Sequence, residues 1–213
     1  MTSRSTPDSD QTRTSEPFFV GVRIRELRTQ AGRSLSSVAD AVGISSSALS
    51  QIETGAMQPS VNRLIEIVTS LNVPLAAVFE QHTVLANPFK DDKSQANEIF
   101  ASVLVAMPRD ISSVNLGQGV IYRRLSPLAV DGVEMFESIY PPGSSSSPDG
   151  SMLVHKGYEI GNVMAGELTF EFEEGAITLK TGGSISFPAE KPHRVANLSS
   201  HTSGSAVWIT IQK

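Results

Sequence analysis

Near residue 110 the spacing of apolar side chains switches from a helical period to a period of two, so one chain must build two different kinds of core. Residues 18–82 carry the helical spacing. Phe19, Val22, Ile24 and Leu27 predict a first amphipathic helix ending near Gly32. Ser34 is placed to cap a second, SLSSVADAV, that stops at Gly43. Ser45 can cap a third, SSSALSQIE, that stops at Gly55. Pro59-Ser60 opens a fourth, VNRLIEIVTSL, and Pro74 sits in the first turn of a fifth, PLAAVFEQ. The expectation is an all-α five-helix bundle. From residue 111 onward, VEMFESIY (133–140), GELTFEFE (166–173), AITLK, SISFP and AVWITIQ are short runs separated by Gly, Pro and Ser. They predict an antiparallel barrel or jelly roll over 111–213, with PPGSSSSPDG (141–150) as a loop. Residues 83–110 are mixed and charged and read as a linker, in which EIFASVLV is a short strand or helix. Residues 1–17, rich in Ser, Thr, Asp and Arg, read as a disordered tail.

Several function classes fall away. With no cysteine there is no disulfide framework, thiolate metal site or cysteine nucleophile. No run of about 18 apolar residues offers a membrane span, and the N-terminal stretch lacks the apolar core of a secretory signal, so a cytoplasmic location and no membrane partner are expected. The formal net charge is −5. Residues 18–82 balance five Arg against five acids, and residues 111–213 set seven cations against ten acids. A bulk positive field is therefore absent, and any DNA affinity must come from placed contacts and from dimerisation.

Residues 34–55 are the most informative part of the first half. Val38, Ala39 and Val42 share one helix face, and the small Ala39 lets the next helix cross close by. Gly43 permits a tight turn, after which Ile44, Leu49 and Ile52 form a buried stripe. Two helices joined by a short turn with Gly make a helix-turn-helix unit. Spacing alone fits a solvated helix of a small bundle equally well. The segment GISSSALSQIETGAMQPSVNRLIEIVTSLNVPLAAVFE, however, resembles the Cro/C1-type (XRE) helix-turn-helix family over roughly residues 18–80, through Ala39, Gly43-Ile44-Ser45, Leu49-Ser50-Gln51-Ile52-Glu53, Gly55 and Pro59-Ser60. The resemblance implies double-stranded DNA as partner, with Ser46, Ser47, Ser50 and Gln51 at base edges. It makes Ser34, Ser36, Ser37, Arg28 and Arg63 phosphate contacts. A Gln can pair bidentately with adenine. Family members commonly carry Arg or Gln early in this helix; three successive serines here leave the target sequence unreadable.

Residues 133–213 resemble a cupin. His155-x-x-x-Glu159 followed by Gly166 matches the first motif, and Gly182, Pro188, His193 and Asn197 match the second. His155 and Glu159, four apart, are expected on one strand face, with His193 brought in from another strand. Two His and one carboxylate can hold a divalent metal, whether zinc, nickel, iron or manganese, and leave positions open. The family's usual fourth ligand, a His two residues before His155, is Leu153 here, and the Gly usual after Pro188-x is Glu190. The same three side chains could equally form a hydrogen-bonded polar cluster. Tyr158, Met164, Phe172 and Phe187 are candidates to line a ligand pocket or pack the core. His201 is expected to be solvated, and His82 to lie at a helix end.

Together these readings describe a transcriptional regulator that binds a pseudo-palindromic operator as a homodimer and senses a small-molecule effector, a metal, or both through its cupin domain. The alternative is a mononuclear iron cupin enzyme, an epoxidase or other oxygenase, with a vestigial helix-turn-helix domain. Arg123, Arg124, Lys156 and Arg194 are its candidate anion-binding groups.

Overall fold

The computed structural model describes residues 20–79, 103–108, 111–128 and 130–212. The expected tail, most of the linker segment, Phe19 and His82 lie outside them.

Local side-chain chemistry starts the helices where the sequence indicated. Ser34, Ser45 and Ser60 sit in extended backbone, and their hydroxyls accept the N–H groups of Ser37, Ala48 and Arg63 at 3.1, 3.1 and 3.2 Å. Each such cap is worth about 1 kcal/mol. After α1 (Val20–Gln30), they open α2 (Leu35–Ala41), α3 (Ser46–Glu53) and α4 (Val61–Ser70). Gly43 takes φ +68° in the turn between α2 and α3, a left-handed conformation that favours glycine. Val38, Ala39, Leu49 and Ile52 are buried, and Ile44 packs partly buried against them.

Two expectations need correction. Val22 is not on the inner face of α1; it is 54% exposed, while Val20, Ile24 and Leu27 are buried. A two-residue step turns about 200° around a helix, so Val22 falls opposite Val20 and Ile24. The bundle also has four α-helices among the described residues, not five. The segment after Pro74 is a single 3-10 turn, Leu75–Val78. Ala77 and Phe79 donate to carbonyls three residues back, and the Ala76 N–H goes outside the helical domain, to Glu134 Oε1 at 2.6 Å. With these donors committed to other acceptors, the segment closes as a 3-10 turn instead of an α-helix.

The sequence reading overlooked Gly21. A Cβ there would lie 1.9 Å from the Ile52 carbonyl oxygen, so α1 meets α3 backbone against backbone.

The second half forms two antiparallel sheets. The strands are β1 (Ser113–Asn115), β2 (Ile121–Arg124), β3 (Val133–Tyr140), β4 (Tyr158–Ala165), β5 (Glu167–Phe172), β6 (Gly175–Lys180), β7 (Ser184–Pro188), β8 (His193–Ala196) and β9 (Gly204–Ile211). One sheet has the order β1-β2-β3-β9-β4-β7, the other β6-β5-β8. Rings from the two sheets fill the space between them: Phe170 of β5 stands edge-on to Trp208 of β9 at 5.8 Å, and Phe172 to Phe187 of β7 at 5.1 Å. Trp208 Nε1 donates to Ser138 Oγ at 2.8 Å, so the indole is buried without an orphaned donor.

The helical domain is docked on the barrel at both ends of α4. Near its start, Asn62 donates its backbone N–H to Ser146 O and its side-chain amide to Ser151 O, both at 3.0 Å, and Gly117 N–H donates to Pro59 O at 2.8 Å. Beyond its end come the Ala76–Glu134 bond and a 5.6 Å ring contact between Phe79 and Phe136. Among the described residues no helix is long and apolar enough to cross a membrane.

Because the extra methyl at Gly21 has only backbone to displace, Gly21→Ala should lower stability by about 3 kcal/mol, the upper end of overpacking costs. Val22→Ser, on the exposed face of the same helix, should stay within about 0.5 kcal/mol. Urea unfolding of the two variants checks the contrast.

Candidate DNA-reading helix and metal centre

In α3 the burial of Leu49 and Ile52 fixes which side chains face outward. Ser46, Ser47 and Gln51 are exposed, and Ser50 is half-buried on the flank. At the α2 end, Ser34 and Ser36 are exposed with their hydroxyl oxygens 3.1 Å apart. Ser37 is half-buried, and its Oγ accepts from Arg33 Nε at 2.9 Å.

Two basic side chains expected at phosphates are engaged inside the domain instead. Arg28 forms a two-point pair with the buried Glu53, Nε to Oε1 at 2.5 Å and a terminal nitrogen to Oε2 at 3.0 Å, and also donates to Arg33 O. The Glu53 hydrogen bond holds its pKa above the usual guanidinium value. Its work is to tie α1 to α3. Arg63 pairs with Glu66 at 2.7 Å and donates to the Val42 carbonyl, tying α4 to the end of α2. Glu53 and Val42 lie 25 and 21 residues from Arg28 and Arg63, separations at which no local pattern reveals them.

In the barrel, His155, Glu159 and His193 come together, with donor atoms all within 4.8 Å of one another. Glu159 points inward from β4 and His193 opens β8. His155 is not on a strand, as the four-residue spacing had suggested; it precedes β4, held by its N–H to Ala189 O at 3.1 Å. The loop, not strand parity, brings it to Glu159. Leu153, where the family's fourth ligand would stand, exchanges both backbone hydrogen bonds with His193 and is buried. Its side chain has no lone pair, so the protein offers three ligands. Asn197 has a structural task, donating to Tyr140 O and Thr202 O at 2.8 Å.

The imidazoles are oriented for a cation. His193 Nδ1 lies 2.8 Å from Lys191 O and His155 Nδ1 lies 3.1 Å from Lys156 O. A carbonyl only accepts, so both Nδ1 atoms carry hydrogen and both Nε2 lone pairs face Glu159. The Nε2-to-carboxylate distances are 2.9 Å for His155 and 3.9 Å for His193. Lone pairs facing a carboxylate at such range need a proton or a metal between them. Burial alone lowers the His155 pKa, but the hydrogen bond and charge of Glu159 outweigh it and the net shift is upward. Burial wins at His193, whose pKa falls despite Glu159. The donor set thus fits a divalent metal: burial favours the neutral imidazole at His193, while Glu159 favours a proton at His155 that an ion would have to displace.

The four expected pocket residues divide. Phe187 is buried 4.9 Å from the His193 ring, and Phe172 packs against Phe187. Tyr158 and Met164 are 49% and 52% exposed on the outer face of β4. Both stand an odd number of residues from the inward Glu159, and alternation along a strand sends them outward. His201 is exposed, as expected.

Comparison with known proteins follows the same division. The helix-turn-helix family (HTH_3) matches residues 24–78, and the Cupin domain family matches residues 136–210. The chain is 26% identical to the HTH-type transcriptional regulator PuuR of Escherichia coli (strain K12) over 184 residues, 86% of this chain and 90% of the relative. It is 33% identical to the HTH-type transcriptional regulator SutR of the same organism over 106 residues, 48% of this chain and 59% of that one. A crystal structure of an HTH_3 family transcriptional regulator from Vibrio cholerae shares the fold, with a TM-score of 0.59 at 23% identity, over 91% of this chain and 95% of that one. The chain joins an XRE-type helix-turn-helix domain to a C-terminal cupin domain.

Proposed function

We propose that this chain is a sequence-specific DNA-binding transcriptional regulator whose cupin domain responds to a small-molecule effector, a divalent metal, or both. The observation that carries the reading is α3: Leu49 and Ile52 are buried, and Ser46, Ser47 and Gln51 stand free on the opposite side. An α-helix fits a major groove about 12 Å wide, where a Gln and small hydroxyls can meet base edges. The relatives that align with it, PuuR and SutR, carry the name of transcriptional regulators.

With Arg28 and Arg63 engaged internally, phosphate contacts fall to Ser34, Ser36, Ser37 and backbone N–H groups near the caps. Such contacts are modest, and one module of this size covers about 600–1,000 Å² of DNA interface. A homodimer reading two half-sites about 34 Å apart supplies the rest. In the barrel, His155, Glu159 and His193 are the metal ligands, and the positions they leave open are available to an effector. Those open positions are also what a mononuclear iron oxygenase would use; that second reading requires iron-dependent oxygen uptake.

Gln51→Ala should weaken binding to the selected operator by about 5–150-fold, the equivalent of 1–3 kcal/mol, and leave binding to random duplex nearly unchanged. Mobility shifts after random-site selection measure both, and equal loss on the two DNAs removes Gln51 from base reading. No preferred duplex at low salt, with and without added metal, ends the regulator reading.

Protein purified without chelator should hold about one divalent ion per chain by elemental analysis, and His193→Ala should lose it. Metal competes with the proton on His155, whose pKa is raised. Affinity should therefore fall as pH drops through that raised value, by at most about tenfold per unit from this one proton. Calorimetric titration at several pH values checks the slope; pH-independent affinity excludes His155 as a ligand.

A further inference from the structure

Between the helical domain and the barrel lies a cavity of about 930 Å³, a size that suits a small organic ligand. Val68, Val73 and Ala76 wall it from the helical domain, and Val133 and Trp208 from the barrel. His155 and Glu159 of the metal triad also line it. The unexplained group in this cavity is Arg124, at the end of β2. It is only 6% exposed and it lines the cavity. Its Nε reaches Ser126 Oγ at a long 3.4 Å, and among the described residues its terminal nitrogens have no hydrogen-bond or ion-pair partner.

The terminal nitrogens of this guanidinium open onto the cavity, and its planar fork matches a carboxylate at two points. The nearby acid does not fill that place. Glu134 gives Oε1 to the Ala76 N–H, and Arg124 acts on it only through its charge, without a direct ion pair. The other charged lining groups are Asp131, Glu190 and Lys156 besides the triad. The acids among them disfavour a ligand with a second negative group, and the aliphatic walls call for an apolar body.

We infer that this interdomain cavity binds a small molecule carrying one carboxylate and an apolar body, with Arg124 receiving the carboxylate. Since α4 and the turn after Pro74 form one wall, the bound molecule touches the DNA-binding domain directly. The binding stands on the cavity and Arg124 alone; its effect on DNA rests on the regulator reading above.

The probe is hexanoate, with hexanamide and hexylamine as matched controls, titrated into the full-length protein. Trp208 is the chain's one tryptophan, so intrinsic fluorescence reports from the cavity wall. The expected result is a saturable change with hexanoate at about millimolar concentration or below, and at least tenfold weaker responses to both controls. Arg124→Met, which keeps the stem and removes the charge, should weaken hexanoate tenfold or more. Arg124→Lys, which keeps the charge without the fork, should fall between, and it serves as the test if the Met variant does not fold by thermal melt. No saturable response, equal response to hexanamide, or unchanged affinity in the Arg124 variants overturns the site. Mobility shifts with and without hexanoate separate the two readings. Saturable binding that leaves operator affinity unchanged upholds the site and overturns its coupling to DNA. Saturable binding in a protein that prefers no duplex upholds the site and removes the regulator.

Discussion

The attachment of α4 to the barrel sets where everything else in this protein stands. Its first turn is fixed by Asn62, whose backbone and side-chain donors both go to barrel carbonyls, and its exit by the Ala76 N–H on Glu134. Asn62, Ser146 and Glu134 are buried, and losing the partner of a buried group costs about 1–3 kcal/mol. α4 also supplies Leu64, Ile67 and Val68 to the core on which Leu49 and Ile52 of α3 rest. The placement of α3 relative to the barrel therefore runs through α4, by way of α2, which packs against both. Burial pushes the Glu134 pKa up, and the opposing pull of the Ala76 N–H and of the charge of Arg124 only partly offsets it.

The triad in the barrel obeys a separate constraint. Backbone carbonyls take both Nδ1 hydrogens, and this leaves three lone-pair-bearing groups converging on one point. Such a cluster is unstable without positive charge. A proton at His155 supplies one unit and a divalent ion two. The buried Leu153 and the ring of Phe187 close off the surroundings of His193, so the charge is felt in a medium of low dielectric. In the metal-binding reading proposed above, Leu153 would add no donor atom and would leave coordination positions open toward the cavity.

Legibility in the sequence followed interaction range. The caps at Ser34, Ser45 and Ser60 are bonds across three residues, and the turn at Gly43 is a property of one, so both could be read from the chain. Period-two runs placed β3, β5, β6, β7 and β9, and paired motifs placed the triad. Tyr158 and Met164 were readable too: with Glu159 facing inward, parity alone sends both outward. Pairings across the fold were not readable. Nothing near Arg28 points to Glu53, and nothing near Ala76 points to Glu134, yet the first engages inside the domain a side chain expected at phosphate and the second removes a helix. Gly21 shows the same limit, because its reason for being glycine is a carbonyl 31 residues along the chain, at Ile52.

The junction is also of the right strength to be switched. A change of about 5–150-fold in DNA affinity needs a coupling free energy of only about 1–3 kcal/mol. That is the worth of one or two buried hydrogen bonds, and the contact between the domains is built from a few of them together with the Phe79–Phe136 pair. The two halves also share one cluster of buried apolar side chains, which includes Val68 and Phe79 on one side and Phe136 and Trp208 on the other. Ala76 supplies part of the cavity wall and also donates the bond to Glu134, so a molecule in the cavity would lie beside one of the bonds that join the two halves.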